Sequence, residues 1–164
     1  MAAAPEDYSR LQIILHWVIA GLILIQLTVN RDMQQAFAQR LANDSLPENA
    51  GAFFHAAIGI LALALALLRL LIRSRRGVPA PHSEEPLIVF VSHATHLLLY
   101  GFLFFMPITG TLAWFTGIEL AAVLHELGRL ILIPAILLHV GGAVVEQFVM
   151  GNPVFQRMFG SRSD

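Results

Sequence analysis

Residues 125–139 read His125-Glu126-Leu127-Gly128-Arg129-Leu130-Ile131-Leu132-Ile133-Pro134-Ala135-Ile136-Leu137-Leu138-His139. Two histidines bracket a run that is almost wholly apolar. At ~100° and ~1.5 Å per residue, fourteen steps of helix return to nearly the same face, ~21 Å further along. A bilayer's hydrocarbon core is ~30 Å thick, so one crossing helix would place a histidine in each leaflet. Ionisable residues are costly to hold at that depth and point to function.

The rest of the chain reads in the same way. Between Arg10 and Arg31 lie twenty residues without formal charge, and Asn49–Leu68 is equally uncharged. From Pro86 to Ile118 histidine is the only ionisable residue type except for Tyr100, while the last stretch, Glu119–Val149, carries Glu126, Arg129 and Glu146. Each is long enough to span a membrane. The expected fold is all-α, an integral membrane four-helix bundle forming a single domain over residues 1–164, with spans near 11–29, 51–72, 87–107 and 121–149. Pro107 with Gly110 is expected to kink or end the third span. No basic segment or small-residue cleavage signal marks the first stretch as a removable signal peptide.

Composition agrees with a membrane setting. The 164 residues are 57% hydrophobic and 13% charged, with mean hydropathy +0.70. Cysteine is absent, which excludes disulfides, thiolate metal sites and thioether-attached haem. All ten basic residues are arginine, whose guanidinium suits carboxylate recognition. Arg10, Arg69, Arg73, Arg75, Arg76, Arg157 and Arg162 fall at one surface, against Arg31 and Arg40 at the other. The positive-inside rule then puts both termini in the cytoplasm. The Arg31–Glu48 loop lies outside and is expected to hold a short amphipathic turn. No nucleic-acid partner is expected.

That topology sorts the buried histidines by depth. His16 and His139 lie toward the cytoplasmic surface, His55 and His125 toward the external one, and each pair joins two different helices. Two axial imidazoles on opposite faces of one haem must come from different helices, and without cysteine any haem is held untethered, so two b-type haems per chain are expected, with His16, His139, His55 and His125 as iron ligands. With both axial positions filled, electron transfer is favoured over oxygen activation. His93 and His96, spaced i, i+3, are expected to share a face at the depth of the inner site. They are candidates for a quinone, for a propionate, or for replacing one of the four ligands. Arg10, Arg69 and Arg73 at the inner boundary and Arg129, one turn after His125, are candidates for haem propionates, with snorkelling to the interface the other reading for Arg69. His82 reads as solvated surface.

These residues carry a resemblance. Tyr8-Ser9-Arg10-Leu11-Gln12 followed by His16-Trp17 resembles the opening of the bacterial cytochrome b561 family, four-helix dihaem proteins of the inner membrane. His55 with Gly59 and Leu68-Arg69-Leu70 resembles its second helix. Ser92-His93-Ala94-Thr95-His96, Tyr100 and Pro107-Ile108-Thr109-Gly110 resemble its third, and His125-Glu126 with His139 its fourth. The resemblance covers nearly the whole chain. It implies haem b at two sites and electron exchange with ubiquinone, and in one type of member the oxidation of superoxide at the outer face. Two departures stand out. Glu146-Gln147 occupies the place of a histidine pair found in many relatives, and the external connection from about Trp114 to Ala121 is short.

Three functions follow. The first is a multi-pass inner-membrane oxidoreductase moving electrons between an external one-electron donor, superoxide most concretely, and ubiquinone. The second is a cytochrome b relay or anchor subunit for a hydrogenase- or dehydrogenase-type partner. The third is a histidine-lined transporter without haem.

Overall fold

The computed structural model describes residues 5–29, 31–43, 45–81 and 83–160. Asp44, His82 and Arg162 lie outside them. The described chain forms α1 (Arg10–Thr28), α2 (Arg31–Asn43), α3 (Ala50–Arg76), α4 (Pro86–Thr116), α5 (Glu119–Phe148) and α6 (Val154–Phe159). Of these, α1, α3, α4 and α5 are long and apolar enough to cross a membrane. The fold is an all-α membrane bundle of four spans, with α2 and α6 added at its two ends.

Local chemistry sets the helix ends. Ser9 opens α1 with a capping box: its hydroxyl accepts from the Gln12 amide at 3.3 Å, and the Gln12 side chain accepts from the Ser9 amide at 2.9 Å. Asn49 caps α3 by accepting from the Ala52 amide at 2.9 Å. Pro86, at the first position of α4, loses no helical hydrogen bond there. Gly117 ends α4 in the left-handed region (φ 71°), and only Gly117 and Ile118 separate α4 from α5.

The helix α4 does not stop at Pro107 but runs on to Thr116. Proline removes a single ladder hydrogen bond, and membrane helices tolerate it when neighbouring helices hold the backbone. Here α5 does so. A β-carbon on Gly128 would lie 2.6 Å from Met106 Sδ and 3.1 Å from Phe105, so α5 presses on α4 immediately before the proline.

Small residues fill the contacts between spans. Ala62, Ala66, Ala113, Ala121, Ala135 and Gly128 are buried, while large side chains such as Leu97 (76% exposed) and Phe90 (69%) point outward. In water that arrangement would be unstable; in lipid, helix association relies on close packing and not on sequestering leucine. Close neighbours follow the chain: α1 with α3, α3 with α4, and α4 with α5. The backbone of α5 makes no comparable approach to α1 or α3, although side chains from all three meet between them.

The starts of α1 and α4, the end of α3, and α6 converge at one end, rich in arginine. There Gln12 donates to the Gly77 carbonyl at 3.1 Å, Trp17 Nε1 to the Met158 carbonyl at 2.8 Å, and Arg157 to the Ala80 carbonyl at 2.8 Å. Trp17 also stacks on Phe159, with centroids 5.0 Å apart. At the opposite end, the expected short turn is a 13-residue helix, α2. Its Met33, Ala36 and Phe37, at i, i+3 and i+4, pack with Ala52, Ala56 and Trp114. That apolar seat on α3 and α4 stabilises a segment whose overall polarity had obscured its helix.

Candidate functional site

Toward the end covered by α2, α3 and α5 bring His55 and His125 together. Their ring centroids are 6.2 Å apart and their planes 75° apart. His125 is oriented by α4: its Nδ1–H donates to the Met106 carbonyl at 2.8 Å, with Thr109 Oγ1 3.4 Å from the same nitrogen. That hydrogen bond sets the tautomer and leaves Nε2 with a free lone pair. Gly110 makes the approach feasible, since a β-carbon there would sit 2.9 Å from His125 Cε1 and 3.0 Å from Nδ1. Sequence reasoning did not find the Met106 carbonyl. The one local signal was Pro107 followed by Gly110, a pair read as a kink or end of the helix and as part of the family resemblance.

Toward the arginine-rich end, α1 and α5 bring His16 and His139 to a centroid separation of 6.1 Å, with planes 64° apart. A third ring joins them. His96 on α4 stands edge-on to His139 at 4.9 Å and 85°, and its Nδ1–H donates to the Ser92 carbonyl at 2.7 Å. His93 does not share this position. It is exposed: three residues leave it about 60° round the helix from His96, and that offset carries it out of the contact His96 makes with α5.

The arginines divide similarly. Arg69 is partly buried and donates to the Tyr100 hydroxyl and the Gln12 carbonyl, both at 3.1 Å. The Arg73 guanidinium lies 5.4 Å over the Tyr100 ring. Together with Tyr8, Gln12 and Val78 they line a narrow cleft at the arginine-rich end. Arg10 is exposed, and Arg129 is partly buried one turn beyond His125.

The ring separations test which histidines can share a metal. A metal–imidazole bond is about 2 Å and the bonding nitrogen lies about 1.2 Å from its ring centroid, so opposed axial imidazoles hold their centroids about 6.4 Å apart. The 6.1 Å and 6.2 Å pairs fit an iron between them. The 4.9 Å contact of His96 with His139 is too short for one. Among the described residues no group of three or more His, Cys, Asp or Glu side chains is arranged to hold an ion unaided. A site offering two imidazoles suits a metal whose other ligands come with the cofactor, as porphyrin nitrogens do in haem.

Four spans, with apposed histidines at two depths between them, are the arrangement a membrane cytochrome of the haem-b kind would need. The sequence model described as prokaryotic cytochrome b561 matches residues 7–161. A relative named cytochrome b562, from Cereibacter sphaeroides, is 31% identical over 155 residues, covering 94% of this chain and 96% of that protein. No solved structure matches the chain significantly. The chain belongs to the prokaryotic cytochrome b561 family. It is a multi-pass protein of the bacterial inner membrane, built for haem-b electron transfer.

Proposed function

We propose that the chain carries two haems b, one between His55 and His125 and one between His16 and His139, and moves single electrons between an external donor and ubiquinone. The observation that carries this reading is the pair of matched ring separations, 6.2 Å and 6.1 Å, at two depths of one bundle. Arginine placement supports cytoplasmic termini, which makes the His16–His139 site the inner one. When bound, haem supplies an iron that exchanges one electron at a time. The two imidazoles of each pair would hold that iron, and the apolar spans around them would keep water away.

The inner end has groups suited to a carboxylate or a quinone head group. Arg69, Arg73 and Tyr100 converge on the cleft, Arg10 is exposed at the start of α1, and His93 is exposed where a lipid-borne ubiquinone would arrive. At the outer end, Arg129 beside His125 is placed for a propionate. Superoxide is the concrete donor for this reading, being small, diffusible and a one-electron reductant.

One observation favours the relay reading. Asp32, Glu48, Glu119 and Glu126 are all exposed at the outer end and outnumber its arginines Arg31, Arg40 and Arg129. Such acidity attracts a cationic redox protein more readily than an anion. The haem-free transporter reading is not carried forward, given the family.

A superoxide pulse on the purified oxidised protein, followed by a ubiquinone analogue, separates these readings. Fast haem reduction and then reoxidation supports superoxide-to-quinone transfer. Reduction by quinol alone, with no response to superoxide, supports a relay feeding an external partner.

A further inference from the structure

Histidine has no strong staggered preference at χ2, so an axial imidazole's plane is set by whatever touches the ring. The helix α4 touches both histidines of α5. His125 is held by its hydrogen bond to the Met106 carbonyl at 2.8 Å. Among the described residues His139 makes no such bond, and two rings face it: His16 at 6.1 Å and His96 at 4.9 Å. Of these, His96 is the close one. It meets His139 at 85°, edge to face, and is itself anchored by Nδ1–H donation to the Ser92 carbonyl at 2.7 Å. Its separation from His139 is about 1.5 Å shorter than a shared iron needs, so its place is beside the ligand and not opposite it.

We propose that His96 is a positioning residue for the inner haem: its anchored ring fixes the plane of His139 and so holds the two axial imidazoles of that site strongly twisted. This rests on the dihaem reading above. Its consequence is electronic. Parallel axial imidazoles donate into one iron d orbital and split it from its partner. Imidazoles twisted by 64° and 75° largely cancel that preference and leave the two orbitals nearly equal in energy. Ferric iron in that state gives a low-spin electron paramagnetic resonance signal of extreme anisotropy, with one very large g value. Relaxation toward parallel planes lowers that g value and makes the signal rhombic.

The test uses purified full-length protein with its native haems, counted per chain and frozen in the ferric state. Two highly anisotropic signals are expected, the outer one identified by its loss in His55→Ala. His96→Ala and the bulkier His96→Leu should each keep two low-spin haems and shift only the inner signal to a smaller maximum g value. His96→Phe, which restores a ring edge against His139, should leave the signal near its original position. An unchanged inner signal in both the Ala and Leu variants would overturn the proposal. So would loss of one haem in those variants while His16→Ala retains two, since His96 would then be the ligand. Fewer than two haems in the unaltered protein would instead overturn the dihaem reading beneath it.

Discussion

Replacing Gly110 by alanine plants a methyl carbon 2.9 Å from Cε1 and 3.0 Å from Nδ1 of His125. Ordinary contact between carbon atoms begins at about 3.5 Å, so one partner must retreat by roughly 0.5 Å. The Gly110 backbone lies inside α4 and cannot easily move, which leaves the imidazole to give way. Its retreat lengthens the 2.8 Å hydrogen bond to Met106, worth about 1 kcal/mol by itself. It also displaces the ring paired with His55, and a metal–nitrogen bond of about 2 Å tolerates only a few tenths of an ångström. Loss of an outer-shell partner of a metal-bound histidine commonly costs about 10–100-fold in affinity, and the steric push adds to that. Helix propensity acts the other way, favouring alanine over glycine by about 1 kcal/mol, so backbone destabilisation does not explain a deficit. The expected result is a protein that folds, keeps the inner haem and loses most of the outer one. Haem quantification with reduced-minus-oxidised spectra measures it, and Gly101→Ala, with nothing within 4 Å of the new carbon, is the control. Two haems with unaltered spectra in Gly110→Ala would refute the placement of His125 against α4.

The unaltered chain is expected to carry two low-spin b-type haems. His55→Ala and His125→Ala should remove the same one, and His16→Ala and His139→Ala the other; a haem that survives loss of one assigned partner but not its mate would break the pairing. At the arginine-rich end, Trp17→Phe keeps the ring stacked on Phe159 but drops the N–H donated to the Met158 carbonyl. This partly exposed bond contributes no more than about 1 kcal/mol. Limited proteolysis should therefore cut near residues 149–153 sooner, with haem content unchanged, and equal cleavage rates would show that α6 is held by other contacts. If superoxide is the donor and a local arginine such as Arg129 attracts it, added salt should slow haem reduction. A rate that rises or stays level with salt would remove that role.

The four spans were legible because twenty uncharged residues in a row admit few structures, and lipid demands that their backbone bonds close within each helix. The depth of each buried histidine was legible too. An even number of crossings brings the termini to one side, and position along a helix converts directly to height. Height alone paired His16 with His139 and His55 with His125, but it left open which of His93 and His96 would join them. That depends on how each helix is rotated about its axis, and rotation is decided where Gly128 meets Met106 and where the buried alanines let backbones close. So the tertiary structure separated His96 from its neighbour His93, aiming one at His139 and leaving the other exposed. It also carried α4 through Pro107, whose missing hydrogen bond is a local cost, because contact with α5 is a non-local gain invisible in the sequence. Likewise α2 became a helix only by finding Ala52 and Trp114, residues distant in the chain. The amino-acid pattern by itself determined what must cross the membrane and at what height along the bundle its histidines pair; side-chain packing between helices decided that His96 and not His93 stands against His139, and at what distance each ring lies from its neighbour.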